Sequence, residues 1–141
     1  MVGERKDPFI NFNFTIQIDG INRAAFHECS GFNSTIDVIE HREGGKPATK
    51  LPGQVKYGNV TLKRGITDDN QLYTWHERAA AGKVERRNGS IVLRDRLGNQ
   101  TARWNFYDAW PTKWEGPALS SEGTDVAIET LELVVERLER E

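Results

Sequence analysis

The first clear pattern in the chain is alternation. Phe12, Phe14, Ile16 and Ile18 fall on one side and Asn13, Thr15 and Gln17 on the other, the period of a half-buried strand. Asp19-Gly20 supplies the turn behind it. Residues 24–29 have no clear period and break at Ser30-Gly31. Residues 34–41 (STIDVIEH) alternate again. Residues 55–63 read as the returning strand, with Val60 and Leu62 on one face and Tyr57, Asn59, Thr61 and Lys63 on the other. Leu72, Trp75, His76 and Ala79 then switch to helical spacing. Thr67-Asp68-Asp69 offers capping oxygens before that helix and Gly82 a stop after it. Residues 90–96 and 101–107 flank Leu97-Gly98-Asn99 as a hairpin. WPTKWEGP, with Pro111 and Pro117, reads as an extended connection. Residues 126–135 form a last strand with Leu131, Leu133 and Val135 on one face. Many strands and one helix predict a mainly β fold, an antiparallel β-sandwich or barrel with one flanking α-helix.

Between the second and third strands lies a charged segment, EHREGGKPATKLPG, with Gly44-Gly45, Pro47 and Pro52-Gly53. Glycine and proline at these positions oppose helix and central strand. Loops longer than about 12–15 residues are uncommon in compact domains and are often functional. Residues 40–54 are therefore expected to be an extended loop that leaves the domain and touches something. Residues 1–8 read as a flexible N-terminal arm, and residues 1–141 as one domain.

The chain has 141 residues, enough for one core. Its hydrophobic share is 37%, low for a globular domain, which hints that assembly contributes to stability. A net charge of −2 gives no bulk signal for nucleic-acid binding. A single cysteine, Cys29, precludes an intrachain disulfide. The first residues lack a basic start followed by an apolar run of about 7–15 residues, so no signal peptide is expected and synthesis is expected in the cytoplasm. No apolar run approaches the roughly 20 residues that span a bilayer, so no membrane anchor is expected.

No catalytic set assembles from the sequence. Cys29 with His27, His41 or His76 would be a nucleophile and base, but no orienting third group is evident. The same four residues lack the CxxC or HxxxH spacing of zinc sites. Thr67-Asp68-Asp69-Asn70 lacks the later glutamate of a calcium loop and is better explained as a helix cap. Gly44-Gly45-Lys46 is followed by Pro47 and so departs from the phosphate-loop pattern. Trp104, Phe106, Tyr107, Trp110 and Trp114 form an aromatic run that suits a core or subunit contact better than base or sugar stacking. Arg86-Arg87, Lys83, Arg94 and Arg96 are interspersed with Glu85 and Asp95, which weakens a phosphate-binding reading. No cofactor or metal is expected. A small binding domain that uses the tryptophans is the alternative from another functional class.

Three stretches, EHREGGKPATKLPGQVKYGNVTLKRGITDD, WHERAAAGKVERRNGSIVLRDRLGNQTARWNFYDAWPTKWEGP and AIETLEL, closely resemble the tail-tube protein family of contractile phage tails and extracellular contractile injection systems. The resemblance runs from Asp7-Pro8-Phe9 almost to the end. It implies a structural subunit that does no chemistry. Such subunits form hexameric rings whose strands join into one barrel, and the rings stack into a tube. Its implied partners are itself, a contractile sheath protein, and baseplate and tail-terminator proteins, with DNA or effector protein as cargo in the lumen. Unpaired strand edges fit ring closure. On this reading Glu40, Arg42, Glu43, Lys46 and Lys50 form the ring-stacking surface. Thr35, Asp37, Asn59, Thr61 and Lys63 face the lumen or a neighbouring subunit. The chain ends, including residues 136–141, are expected to add to the contacts. A secreted hexameric-ring carrier of the type VI secretion kind shares the general architecture.

Overall fold

The computed structural model describes residues 7–9, 13–21 and 25–141. Most of the expected N-terminal arm, and Phe12 of the first strand, lie outside these. Nine strands and one helix follow in the order β1 (Asn13–Ile18), β2 (Glu28–Ser30), β3 (Ser34–His41), β4 (Thr49–Tyr57), β5 (Val60–Gly65), α1 (Gln71–Ala80), β6 (Arg87–Arg94), β7 (Gln100–Glu115), β8 (Ile128–Val134) and β9 (Arg137–Arg140). Seven strands form one antiparallel sheet with the path β1-β6-β7-β8-β5-β2, and β9 pairs with β7. β3 and β4 pair only with each other, as a separate ribbon.

Strand β7 organises the sheet. Its first half pairs with β6 and β9, its second with β8. The change of partner falls at Asp108, which has a positive φ of 54° and donates its backbone N–H to the Asn88 side chain. The WPTKWE segment is therefore strand, where a connection was expected. Pro111 sits fully buried opposite Leu133, at a register shift before Lys113. The shift leaves Thr112 without a partner, and among the described strands only β8 pairs with this half of β7, so it has a free edge, where a residue lacking an N–H is tolerated. The expected hairpin turn is present, with Gly98 at φ +84° and the Asp95 carboxylate accepting from the Leu97 and Asn99 N–H groups.

One core serves both halves of the sheet. Ile16 and Ile18 of β1, Ile91 of β6 and Phe106 of β7 meet Val60 and Leu62 of β5, Leu131 and Leu133 of β8, and Leu72 and Trp75 of α1. The expected inward faces of β1, β5, β8 and the helix are the observed ones. The helix stop also holds: Gly82, at φ +88°, donates to the Ala79 carbonyl and Lys83 to that of Arg78. The helix start differs in detail. Asn70, at the cap position, makes no side-chain capping bond, and Asp69 accepts from the Gln71 N–H instead.

A buried ion pair pins the helix entry to the sheet. Arg64 Nε donates to Glu129 Oε1 at 2.7 Å, with both side chains under 10% exposed. The other Glu129 oxygen accepts from Trp114 Nε1, and Arg64 Nη2 donates to the Asp69 carbonyl. This network joins β5, β7, β8 and the turn into α1. Burying charge is costly unless every group is satisfied, so removing one partner costs more than replacing both. Glu129→Ala is expected to destabilise the subunit by about 3 kcal/mol in urea unfolding, with Arg64→Met/Glu129→Leu recovering most of the loss.

Candidate assembly surfaces

The ribbon grows out of the sheet without losing register. Glu28 pairs with Lys63 and Ser30 with Thr61 in β2–β5, and Ser34 with Tyr57 and Ile36 with Val55 in β3–β4. The Gly58 N–H donates to the Asn33 carbonyl between these ladders. Paired residue numbers keep the same sum across the joint, up to Ile36 and Val55, so two long strands run as one hairpin through residues 31–33 and 58–59. Gly31 lies at φ +83°, and a Cβ there would stand 2.6 Å from the Asn59 carbonyl oxygen. A Cβ on Gly58 would collide with the Asn33 amide. Both positions require glycine for local steric reasons.

The joint shifts which side each strand shows. Cys29 and Leu62 point to the core below it, yet Phe32 and Tyr57, an odd number of residues further on, also pack against the core. Both strands change parity together, so the pairing survives. Tyr57 thereby leaves the face expected for it, while Asn59, Thr61 and Lys63 keep theirs. Residues 55–63 are two strands rather than one for the same reason.

Beyond the joint the ribbon outruns the core. Its core-side face carries Ile36, Val38 and Val55, and past a bulge near Val38 the other face carries Ile39 and Leu51. These five side chains are 45–65% exposed. The expected loop at 40–54 is thus mostly strand, with only residues 42–48 irregular. Pro52 sits opposite Val38 within β4. A two-stranded ribbon has free edges on both sides, where a missing N–H is tolerated.

The structure gathers Glu40, Arg42, Glu43, Lys46 and Lys50 at the ribbon's end. Glu40 stands opposite Lys50, and Lys46 donates its N–H to the Glu43 carbonyl in a turn that holds Gly45 at φ +76°. Glu43 pairs with Lys46 at 3.5 Å and lies 3.7 Å from His41, all exposed. Gly44-Gly45-Lys46 forms this turn, not a cradle. Of the five polar-face residues, Asn59, Thr61 and Lys63 lie on β5 and Thr35 and Asp37 on β3, so two sheets carry them.

The other candidates take structural places. Phe106 is core, Trp104 packs 5.3 Å from Phe32, and Trp114 meets Tyr73 edge-on. Tyr107 and Trp104 lie beneath Arg137 and Arg140 of β9, a strand the sequence pattern does not reveal. Arg87 donates to the Asp19 carbonyl and to Glu85 and lies over Trp75. Arg86 pairs with Glu136, and Arg94 donates to Thr15 and to the Gly98 carbonyl. His41 is at the ribbon's end and His76 on α1, on different elements from Cys29. Among the described residues no three His, Cys, Asp or Glu side chains are grouped to hold a metal ion, and no helix is long and apolar enough to cross a membrane.

His27 and Cys29 share the rim of a cleft of about 300 Å³ with Phe14, Phe32 and Trp104. Burial, and secondarily the Glu28 carboxylate, pushes the Cys29 thiol up to about 12. The thiolate is the nucleophile, so this environment quenches it. The raised value favours the folded state below the unfolded thiol's pKa, and that contribution fades as pH climbs towards 12. At pH 9 the native thiol should react with iodoacetamide roughly 10²–10³ times more slowly than in urea, as followed by mass spectrometry.

With this geometry in hand, comparison with known proteins is informative. A family model described as the T4-like virus tail tube protein gp19 matches residues 10–139. No curated protein sequence matches the chain. A chain of the anti-feeding prophage baseplate, solved by cryo-electron microscopy with 6-fold symmetry, is 26% identical, with a TM-score of 0.86 over 97% of each chain. A chain of the sheath–tube complex of PVC, an extracellular contractile injection system in its extended state, is also 26% identical. Its TM-score is 0.87 over 95% of this chain and 91% of that one. Hcp1 from Salmonella typhimurium, 18% identical with a TM-score of 0.64 over 90% and 83%, shares the fold.

Proposed function

The chain belongs to the T4-like virus tail tube protein family and is a tube subunit of a contractile injection system, and we propose that it works as six-membered rings stacked into a hollow conduit. The observation that carries this reading is the ribbon whose core-side face continues past the subunit's own core. Strand pairing holds Ile36, Val38 and Val55 beyond the buried core, each about half exposed. Covering each such half-exposed aliphatic is worth roughly 1 kcal/mol. In a monomer that stabilisation is forgone; on the body of a second copy it is gained at every ribbon. Because the middle of the ribbon, around Val38, Ile39 and Leu51, is apolar on both faces, it fits between two neighbours better than on the flank of one.

Ring closure is a head-to-tail contact that returns on itself, and stacking is one that does not. The strands β1, β2 and β9 each have one described neighbour in the sheet, leaving edges for the first kind. The charged end of the ribbon suits the second. Glu40, Arg42, Glu43, Lys46 and Lys50 would meet the next ring. Single exposed pairs contribute only about 0–1 kcal/mol, so their role is to set rotation between rings, multiplied around the circle. Thr35, Asp37, Asn59, Thr61 and Lys63 would line the passage.

In this arrangement the subunit's work is mechanical, without catalysis. The similar PVC chain belongs to a sheath–tube complex, and similar chains occur in a baseplate and in a sheath–tube terminator structure. The corresponding partners here are a contractile sheath, a baseplate and a terminator, and the passage conducts DNA or effector protein. The subunit folds in the cytoplasm before joining the particle.

Two variants test the ribbon's role. Replacing residues 40–53 with a short Gly-Ser linker should leave a folded, soluble subunit that gives no stacked tubes in negative-stain electron microscopy. Ile36→Asp/Val38→Asp should also abolish tubes while shifting monomer stability by less than about 1 kcal/mol, because both sites are exposed. Tubes of normal length from both variants would overturn the assignment.

A further inference from the structure

We propose that the polar face running from β2 and β5 onto the ribbon is a charge-balanced wall, which passes polypeptide cargo of either net charge without holding it. The proposal rests on the reading above, in which this face lines the passage.

The balance is built from neighbours on the same face. Lys63 Nζ lies 3.2 Å from Glu28 across β2–β5. Lys56 Nζ lies 3.0 Å from Asp37 across the ribbon. Asn59 Nδ2 donates to Glu132 Oε1 at 2.9 Å, and Lys113, opposite Glu132 in the β7–β8 register, has its Nζ 3.6 Å from Glu115 on the same face. Hydroxyls from Ser30, Thr61 and Thr130 alternate with these charges along the rows. The parity change at the joint is what allows this. Without it, Thr35, Asp37 and Lys56 would continue the core side, and the ribbon's aliphatic residues would continue the polar one.

The physical consequence concerns range. A single-sign lining focuses its field into a channel and concentrates the opposite charge there. Opposite charges about 3 Å apart form local dipoles whose fields fade faster than those of single charges, and salt screens the remainder over about 8 Å. Duplex DNA binds wherever lysines replace its counterions. Here Lys56 and Lys63 already have carboxylates beside them. A moving chain of mixed charge meets a hydrated surface on which each lysine already has a carboxylate within 4 Å, so cargo selection by charge must occur elsewhere in the particle.

The test uses assembled full-length tubes. A maleimide-gold label on Lys63→Cys tubes first locates the face; gold on the outside would overturn the lining assignment, whatever the wall's charge. Tubes are then incubated separately with fluorescent oligolysine, oligoglutamate and single-stranded DNA, and retention is read by sedimentation in physiological salt. Lys56→Glu/Lys63→Glu should shift the oligolysine-to-oligoglutamate ratio upward by at least about tenfold, and Glu28→Lys/Asp37→Lys downward by as much. The swapped pair Glu28→Lys/Lys63→Glu keeps the balance and should stay within about twofold of wild type. A swapped pair that moves as far as the single-sign variants would overturn the proposal. So would DNA retained by wild-type tubes and released by Lys56→Glu/Lys63→Glu. If the single-sign variants do not assemble, the swapped pair and the wild-type DNA measurement decide alone.

Discussion

Two strands paired in one register through a joint that reverses their faces are the constraint on which the rest of the molecule depends. Below the joint, β2 and β5 are ordinary sheet strands, with Leu62 and Val60 in the core. Above it, the same hydrogen-bonded ladder continues as β3 and β4, where nothing in the subunit lies beneath. Gly31 supplies the left-handed backbone, and Gly58 leaves room for the Asn33 side chain. Because both strands shift parity together, pairing is preserved while the side-chain pattern is reset. One polar side then runs continuously from the sheet onto the ribbon, and one apolar side runs from the core into solvent. A subunit built this way is stable as a fold yet incomplete as a surface.

The buried Arg64–Glu129 pair ties together the elements at the base of this ribbon. Its bonds tie β5, which feeds the ribbon, to β8 beside it and to the turn that starts α1. Trp114 Nε1, on the far half of β7, closes the other carboxylate oxygen. An aliphatic pair of equal volume would pack as well but would not fix direction. Hydrogen bonds to both carboxylate oxygens hold the strands and the helix entry in one alignment, which suits a part loaded along its axis.

Much of this was legible in the sequence, and the failures have specific causes. The alternation of β1, the inward positions Val60 and Leu62, the helical face with its Gly82 stop, and the hairpin around Gly98 all follow from local period and turn chemistry. Pro111 hid the second half of β7, because proline argues against a central strand, and the sequence does not show that this half pairs on one side only. β9 has no alternating signature; Arg137 and Arg140 owe their places to Tyr107 and Trp104, distant in the chain. The glycines and prolines of residues 40–54 argue against a central strand, whereas the ribbon is a pair with two free edges. Tyr57 was placed on the wrong face because parity was carried through Gly58. The charged end at Glu40–Lys50 and the polar positions on β3 and β5 could be named as residues, but their division between a ribbon and a sheet required coordinates.

The low hydrophobic share of the chain now has a location. The core of the subunit is well filled, with Phe106, Val60, Leu72 and Leu133 at most 1% exposed. Among the described residues, five of the exposed large aliphatics, Ile36, Val38, Ile39, Leu51 and Val55, lie together on one ribbon, while Ile66, Val84, Leu97, Leu119 and Val126 stand singly elsewhere. Isolated exposed apolar residues need no explanation, but a group held on a projecting element does. Each strand of this two-stranded ribbon leaves one backbone edge unpaired, and its apolar residues stay half-exposed in the isolated subunit. On the proposed assembly, the same residues would favour the polymer. A tube that must be rigid once built, from subunits that must stay soluble beforehand, needs its apolar surface divided in this way: enough inside to fold, and the remainder on an arm narrow enough to stay in water until a neighbour receives it.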